Sequence, residues 1–531
     1  KTPWFRRCNH YANTPVPLPD YNLRRTISDH EVHGTEIHLV PQPSLDPADP
    51  LNWAAWRKAA ILICMSLYAF INNYTSSSLS SAFPILATPA VFNPPVPFAK
   101  LSHLIAVNVL MQGAANLLWV PLANIFGRRP IVLLNILILT LSSMWAGLAT
   151  SFNSLLVARF FMGVGGAPAD TIAPDIVGEI YFMHQRGRAM AIYTVFLAIG
   201  SLLGGLTGSY IAVQAGVPWI HWINVILSAA LFVLCLFFQP ETLFERERME
   251  LRPVDDPDVT SSEGKPSAVK TEKVRSDSAP NYAPYTFLRS LNIGTYRGGV
   301  AAKFLGPFLT LRLPGVWLVM LWYGGLVGGV VTISTIGATL VAAPPYLWGS
   351  NAGLINVGGV VGAILGALCT YALADFAITR RAKHESHGYA EPEDRLAIAF
   401  PGLFFATTGL WMFGFCAQNP SPKAWVGLEV GLGMLTFGLM QVPSIGFTYV
   451  IEAYNAVSGD CFVAITCLRA IISFAWTFFV GTWTEKDGPA VAFGVFGGLM
   501  GAFSLLTIPQ ILWGKRTRIA TAKWLPEHPD H

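Results

Sequence analysis

Long apolar runs alternate along the chain with short segments rich in charged residues, proline and glycine. A helix needs roughly 17–25 mostly apolar residues to cross a bilayer. Twelve runs reach that length, and the alternating strands of about ten residues that build membrane barrels are absent from the pattern. The pattern predicts spans 1 to 12 at Ala59–Leu79, His103–Ala123, Pro130–Thr150, Leu155–Ile180, Ala189–Val213, Ile220–Phe238, Val316–Ala343, Ala352–Ala377, Leu396–Ala417, Ala424–Ile451, Phe462–Thr482 and Ala490–Trp513.

Two of these runs end in similar polar stretches. PLANIFGRRP (Pro121–Pro130) closes span 2, and ALADFAITRR (Ala372–Arg381) closes span 8. Because each follows the second span of a set of six, the pattern indicates two equivalent halves. The predicted fold is an all-α membrane protein with twelve transmembrane helices in two six-helix halves. Its predicted parts are a disordered N-terminal segment (1–56), the first half (57–239), a linker (240–314), the second half (315–513) and a C-terminal tail (514–531).

Composition supports a membrane protein. Only 12% of the 531 residues are charged, whereas a soluble protein carries about 25%, and the mean hydropathy is +0.47. Each charge at mid-bilayer costs roughly 2.5–3.5 kcal/mol, which explains the shortage. The net charge of +4 does not indicate nucleic-acid binding. The seven cysteines form no CxxC motif, so we expect buried thiols and neither a metal site nor a cofactor.

The loop charges predict the orientation. Basic residues gather on one set of span ends, and the positive-inside rule places that set in the cytoplasm, with both termini. The opposite ends carry only Lys100, Lys423 and Lys486. The basic set is Arg57, Lys58, Arg128, Arg129, Arg186, Arg188, Arg380, Arg381, Lys383, Arg395, Lys515, Arg516 and Arg518.

The linker between the halves has two parts. The first, VDDPDVTSSEGKPSAVKTEKVRSDSAP, is charged and rich in serine and proline, and we expect it to be disordered. The second, FLRSLNIGTYRGGVAAKFLGPFLTLRLPG, mixes apolar and basic residues. That mixture fits an interfacial helix, and it equally fits a plain tether.

Charges inside the spans are the main functional signal, because placing a charge in a membrane costs free energy and such charges usually have a function. The candidates for proton or cation coupling are Asp170, Arg159, Glu429 and Arg469. Asp170 lies roughly 16 Å beyond Arg159 along span 4, slightly past the midplane. A buried carboxylate can exchange a proton near neutral pH or attract a cationic substrate. The alternative is a structural ion pair with a neighbouring arginine or lysine.

The two polar stretches indicate gates. Arg128 and Arg129 can reach carbonyls or carboxylates at neighbouring helix ends, with Glu179 as the expected partner. Asp375 can pair with Arg380 in the second half. Such contacts would close one side of the protein and break when it switches. The alternative is simple anchoring of basic residues at the membrane surface.

These motifs resemble the major facilitator superfamily over about Leu51 to Trp513, and within it the fungal twelve-span drug:proton antiporter group. PLANIFGRRP resembles the superfamily's loop motif, with Asn124 where an aspartate is usual. LLVARFFMGVGGAP resembles the span-4 motif, and Arg159 is its arginine. GSLLGGLTGSYI resembles the antiporter motif of span 5. It departs from that motif at Gly205, where proline is usual, and at Ser209, where a second glycine is usual.

The resemblance implies that spans 1, 4, 7 and 10 line a cargo cavity and that the two halves rock against each other. Small residues at Gly200, Gly204, Gly205 and Gly208 would let helices pack closely and slide. The polar and aromatic side chains of the cavity-lining spans are candidates for cargo contact, although each also fits ordinary packing. They are Asn72, Asn73, Tyr74, Ser77, Trp322, Tyr323, Gln441, Ser444 and Tyr449.

The resemblance implies a proton-coupled secondary transporter that exports drugs, toxins or secondary metabolites by alternating access. No GxxxxGK[ST] loop or catalytic triad is present in the sequence, so we expect no enzyme activity. The expected partners are a small organic substrate, protons and the lipid bilayer, with no nucleic acid and a monomeric chain in a fungal plasma membrane. The alternatives are an importer of polyamines or other organic cations, and a non-transporting membrane receptor or scaffold.

Overall fold

A computed structural model of the chain describes residues 44, 46–88, 92, 95–244, 296, 298, 300–382, 392–454 and 457–521. Within this part, twelve helices are long and apolar enough to cross a membrane, which confirms the predicted fold class. The N-terminal segment before residue 44 and most of the linker lie outside the described residues. The predicted limits of the five parts therefore stay predictions.

The first half holds spans 1 to 6. Several spans consist of two or three consecutive helices. Their bounds are Ala55–Ser77, Ser80–Ala82 and Phe83–Leu86 for span 1; Phe98–Ala114 and Asn116–Phe126 for span 2; Arg128–Leu148 for span 3; Phe152–Gly166, Ala167–Asp170 and Ile172–Ile180 for span 4; Met183–Gln214 for span 5; and Val217–Phe238 for span 6.

The second half holds spans 7 to 12 and follows a linker helix at Val300–Thr310. A short 3-10 turn at Pro50–Asn52 precedes span 1. The spans are Pro314–Ala342 for span 7; Gly349–Asn356 and Val357–Ala382 for span 8; Pro392–Ala399 and Phe400–Gln418 for span 9; Ala424–Ala453 for span 10; Ser458–Asp487 for span 11; and Pro489–Leu505 and Thr507–Thr521 for span 12. The final helix continues past the predicted end of span 12.

Each half builds its own hydrophobic core. One core gathers buried residues between Trp53 and Cys235, joined by Val463 and Cys467 of span 11. The other gathers buried residues between Leu313 and Met500. Large apolar side chains such as Leu148 and Leu368 remain exposed on the outer surface, as expected where lipid replaces water. A third, smaller cluster joins the halves through Ala198 and Leu202 of span 5 and Ala363 and Met440 of spans 8 and 10.

Span 4 is a broken helix, whereas the sequence pattern predicted one continuous span. The break is a 3-10 turn at Ala167–Asp170. Pro168 has no N–H to donate, so the helical hydrogen-bond ladder cannot continue through it. The neighbouring carbonyls find other donors: the Tyr68 hydroxyl donates to the carbonyl of Gly165 at 2.7 Å, and the Tyr193 hydroxyl donates to that of Ala169. The break places Asp170 at the end of the turn.

Glycines let span 5 lie directly on span 1. A Cβ atom on Gly204 would lie 2.6 Å from the Tyr74 carbonyl oxygen, and one on Gly200 would overlap that of Phe70. Gly208 approaches the backbone of Ser78 in the same way. Three of the four predicted packing glycines therefore face span 1, while Gly205 faces the second half.

Candidate functional site

We define the basic face as the side at which span 1 begins and span 12 ends, marked by Arg57, Arg128 and Arg518; the other side is the opposite face. An ion pair joins the two halves deep between these faces. The Arg469 Nη2 atom of span 11 lies 2.5 Å from the Asp170 Oδ2 atom of span 4. The two side chains are only 5% and 3% exposed. Two of the four predicted coupling residues therefore contact each other.

The first half holds Asp170 firmly in place. Its neighbour Ala169 accepts the Tyr193 hydroxyl of span 5, and the Thr171 hydroxyl donates to Asn116 Oδ1 of span 2 at 2.6 Å. Spans 1, 2 and 5 thus fix the turn on which the carboxylate stands. The second oxygen of Asp170, Oδ1, is buried without a hydrogen-bond partner among the described residues.

The second half gives Arg469 another partner. Its Nη1 atom donates to the hydroxyl of Tyr323 at 3.1 Å, and its Cζ atom lies 4.8 Å from the centre of the same ring. Arg469 Nε is buried and has no hydrogen-bond partner in the described part of the chain. The guanidinium therefore contacts a carboxylate of one half and an aromatic ring of the other.

A small central cavity borders this pair. Its volume is about 30 Å³, enough for only one or two water molecules. Arg469 is its single charged lining residue, and the walls otherwise combine hydroxyl, amide and branched apolar side chains. The other lining residues are Asn73, Ser76, Ser77, Ser80, Ile105, Val109, Gln112, Ser201, Val327, Val331, Ser334 and Thr335.

Of the nine predicted cargo-contact residues, Asn73 and Ser77 line this cavity. Asn72 lies behind the wall and accepts a hydrogen bond from Gln112 at 2.8 Å. The hydroxyl of Tyr74 pairs with that of Thr207 in span 5 at 2.8 Å. These two residues pack the first half together.

In the second half, most of the predicted cargo-contact residues contact other helices instead of the cavity. Trp322 donates to the carbonyl of Phe503 in span 12, Gln441 to that of Ile398, and Tyr449 accepts from Gln510. Ser444 is partly buried on span 10 and is not among the residues that line the cavity. Tyr323 is not among the residues that line the cavity, but it contacts the lining residue Arg469.

Spans 2 and 5 also line the cavity, with Gln112 and Ser201 as polar lining residues. The resemblance implies a lining by spans 1, 4, 7 and 10, so these residues were not among the predicted ones. A signal was present, because Asn108, Gln112 and Asn116 repeat at every fourth position of span 2, which places them on one helix face. That face contacts spans 1 and 4 of the same half, and Gln112 also lines the cavity.

Arg159 ties three spans together rather than joining the ion pair. Its guanidinium donates to the carbonyls of Thr75 at 2.8 Å and Ser76 at 2.5 Å, and to that of Leu104 at 3.3 Å. The first two carbonyls lie in the last turn of a helix, where intrahelical partners are missing. The fully buried charge is thus solvated by backbone dipoles of spans 1 and 2.

Glu429 also lies away from the pair. Its Oε2 atom accepts the backbone N–H of Gly358, at the start of the regular helix of span 8. A carboxylate at that position satisfies an open N–H group and complements the helix dipole. This contact stays within the second half, near the opposite face.

At the basic face, Arg128 lies 2.7 Å from Glu179 and 3.5 Å from Asp175. Glu241, which follows span 6, accepts the backbone N–H groups of both Arg128 and Arg129 at 3.0 and 3.2 Å. It thereby caps span 3, which begins after Gly127 at a positive φ of 103°. All these groups belong to the first half, so the contacts brace that half, and their gating role stays a prediction.

The second half carries a related arrangement. Arg395, at the start of span 9, lies 2.6 Å from Glu452 at the end of span 10, and Arg518 lies 3.1 Å from Glu393. The predicted partners Asp375 and Arg380 belong to span 8, but their side chains lie outside the described residues. Their pairing stays a prediction.

The linker helix adds a contact between the halves at the basic face. Lys303 Nζ donates to the backbone carbonyl of Asn124, at the end of span 2, at 2.9 Å. Gly306 lies against the carboxylate of Asp460 at the start of span 11, where a Cβ atom would overlap an oxygen. The linker helix therefore bridges spans 2 and 11.

Direct contacts also join the halves near the opposite face. The Ser209 hydroxyl accepts the Gly353 N–H at 3.0 Å, and the Tyr210 hydroxyl donates to Asn351 at 2.8 Å. A Cβ atom on Gly205 would lie 2.7 Å from the Asn356 amide nitrogen. The His103 ring stacks on Phe478 with centres 4.2 Å apart. Both departures from the antiporter motif, Gly205 and Ser209, thus touch the first turns of span 8.

Comparison with known proteins is consistent with this architecture. The family model of the Major Facilitator Superfamily matches residues 65–459. An uncharacterized MFS-type transporter of Schizosaccharomyces pombe is 27% identical over 534 residues, covering 93% of this chain and 91% of its own. The efflux pump radE of Floropilus chiversii is 23% identical over 481 residues, covering 89% and 83%. The human organic anion transporter MFSD10 (TETRAN) shares the fold, with a TM-score of 0.53 at 16% identity, covering 85% of this chain and 99% of its own.

Proposed function

The chain belongs to the Major Facilitator Superfamily and is a multi-pass membrane transporter, and from this premise we propose that it exports amphipathic organic compounds in a proton-coupled, alternating-access cycle. The basic face lies in the cytoplasm, and the cargo crosses between the halves. The Asp170–Arg469 ion pair is the observation that carries this proposal.

The ion pair links proton binding to the motion of the halves. Asp170 is fixed to the first half and Arg469 to the second, so any separation at this depth must break their contact. Removing one charge from a buried pair leaves the other uncompensated. A proton on Asp170 removes the attraction without moving an atom of the backbone. Protonation therefore favours the arrangement in which the halves have parted.

The central cavity fits a resting conformation. Its volume of about 30 Å³ excludes any organic cargo, so loading requires the halves to separate. The contacts of Ser209, Tyr210 and His103 hold them together near the opposite face. Cargo would then enter from the basic face once the ion pair is released. The walls of the central cavity combine hydroxyl, amide and apolar side chains, which suit compounds with both apolar and polar groups.

The relative radE supports export as the direction, since it is called an efflux pump. The test expresses the wild type and Asp170→Asn in yeast loaded with rhodamine 6G or with spermidine, with and without a proton uncoupler. Empty-vector cells give the baseline. We expect lower dye content that recovers with the uncoupler, and loss of that effect in Asp170→Asn. Uncoupler-sensitive spermidine accumulation would instead establish uptake and overturn export.

A further inference from the structure

Arg469 has a second binding partner that stays with it when the halves part. Tyr323 of span 7 and Arg469 of span 11 belong to the same half, and their spans are closely packed. A Cβ atom on Gly324 would lie 2.7 Å from Ile472, and the Ser473 hydroxyl donates to the Gly324 carbonyl at 3.5 Å. The guanidinium and the ring therefore move as one body.

The Tyr323 ring is itself held by the second half. Phe447 of span 10 contacts it edge-on at 5.4 Å, and Phe462 of span 11 contacts Phe447 at 5.2 Å. This row of aromatic rings lies entirely in the second half. The orientation of Tyr323 thus does not depend on Asp170.

Breaking the ion pair leaves a buried cation that needs compensation. Arg469 keeps its charge at any physiological pH, and its side chain is 5% exposed. An aromatic face can supply that compensation, since a desolvated guanidinium is attracted to the negative face of a ring. Arg469 already occupies this position, with its Cζ atom 4.8 Å from the ring centre.

We propose that Tyr323 is a positioning residue that retains Arg469 in the second half after Asp170 takes up a proton. The inference rests on the proposed function and gives Tyr323 a role that is separate from its predicted contact with cargo. In the paired state Arg469 is shared between Asp170 and Tyr323. In the released state the carboxyl is neutral, and the ring remains the protein contact that stabilises the guanidinium.

Other titratable groups around the pair do not change charge in the relevant range. They are Tyr68 of span 1, Tyr193 of span 5 and Cys467 of span 11. Tyrosine and cysteine side chains lose their protons only above roughly pH 8. A pH response between about 5 and 8 therefore does not come from these three groups, and the Asp170→Asn variant tests whether it depends on Asp170.

The consequence concerns proton binding. Removing the ring destabilises the released state more than the paired state, because the carboxylate still holds the guanidinium in the latter. Asp170 must then be protonated at a lower pH before the halves part. We expect Tyr323→Leu to lower the midpoint of that transition by about one pH unit. Tyr323→Phe keeps the ring and should shift it less, and Tyr323→Trp should restore the wild-type midpoint.

The test measures the distance between spin labels on noncanonical amino acids at positions 188 and 516, both exposed on the basic face of opposite halves. The purified full chain in nanodiscs is titrated from pH 5 to 8 for the wild type and each variant. Tyr454→Leu is the matched control, since Tyr454 is equally buried in the same half but contacts Tyr449 instead. Its midpoint should equal that of the wild type.

The outcomes separate the two proposals. A wild-type midpoint that Tyr323→Leu lowers and Tyr454→Leu leaves unchanged supports the role of Tyr323. Equal midpoints in Tyr323→Leu, Tyr454→Leu and the wild type overturn this inference alone. A distance that does not respond to pH in the wild type, or still responds in Asp170→Asn, overturns the proposed coupling and this inference with it. If Tyr323→Leu fails to fold, Tyr323→Met makes the same comparison, because its flexible side chain fills the space without a ring.

Discussion

At the scale of single residues, two of the buried positive charges, Arg159 and Arg469, are stabilised in different ways. Arg159 is surrounded by backbone carbonyls of its own half, whereas Arg469 is neutralised by a carboxylate of the other half. A charge solvated by fixed dipoles cannot be released by a proton, but one neutralised by a carboxylate can. Only the second arrangement is suited to a switch.

The energetic cost of the ion pair can be measured by removing one member and then both. Asp170→Asn leaves the Arg469 charge buried, which should lower the free energy of unfolding by about 3–5 kcal/mol. The double variant Asp170→Asn/Arg469→Gln removes both charges and should recover most of that loss. Unfolding in detergent measures each step, with exposed Glu485→Gln as the control. A double variant as unstable as Asp170→Asn would show that the uncompensated Arg469 charge does not cause the loss of stability.

Arg159 should not tolerate lysine, although lysine keeps the charge. An ammonium cannot reach the three carbonyls of Thr75, Ser76 and Leu104 in the geometry of the guanidinium fork. We expect Arg159→Lys to lower the free energy of unfolding by about 1–3 kcal/mol. The same exchange at exposed Arg188 gives the reference. Equal stability of the two lysine variants would show that the three carbonyl contacts of Arg159 do not stabilise the protein.

The sequence identified Asp170 and Arg469 separately, because intramembrane charges are conspicuous. It could not pair them, since spans 4 and 11 belong to different halves and only packing brings them together. Trp322 and Tyr323 show the same limit. They are neighbours in sequence, yet one faces span 12 and the other Arg469, and a helix of uniformly apolar composition does not reveal which face points inward.

At the scale of elements, glycines decide which helices can touch and where they bend. Gly200, Gly204 and Gly208 bring span 5 onto span 1, and the glycine- and proline-rich segment of span 4 breaks that helix beside Asp170. The composition of this segment was visible in the sequence. The break was not foreseen, because proline inside a membrane helix often produces only a kink.

A larger side chain on the glycine face of span 5 should force the two helices apart. A Cβ atom on Gly204 would lie 2.6 Å from the Tyr74 carbonyl, so Gly204→Leu requires backbone movement. We expect a loss of about 1–3 kcal/mol in the free energy of unfolding. Gly494→Leu is the matched control, because nothing lies within 4 Å of a Cβ atom there. Similar losses in both variants would contradict the close packing of spans 1 and 5.

At the scale of the whole molecule, the halves meet along two pairs of packed helices. Span 2 lies on span 11, where a Cβ atom on Gly113 would overlap that of Ala470, and span 5 lies on span 8. The linker helix bridges them at the basic face through Lys303, the ion pair joins them in the middle, and span 5 contacts span 8 near the opposite face. The duplicated layout of two six-span halves was predictable from the repeated polar stretches. The positions of these joints were not, because they depend on how two separately formed cores dock.

Weakening the joint near the opposite face should expose the central cavity from that side. A valine at Gly205 would collide with the Asn356 amide, and parting of the halves relieves the collision. We expect a cysteine at cavity residue Ser334 to react with a membrane-impermeant thiol reagent at least about fivefold faster in Gly205→Val. Gly498→Val provides the control, with open space around its Cβ atom. Unchanged reactivity would show that this contact does not hold the cavity closed.

The hydrogen bond between Tyr210 and Asn351 has a practical consequence for anyone who wishes to follow the transporter in living cells. These two residues are 141 positions apart in the chain but form one continuous patch only while their halves meet. An antibody fragment that touches both would recognise a composite epitope and would lose it when the halves separate. Such a fragment would report the conformation of each molecule without any knowledge of its cargo.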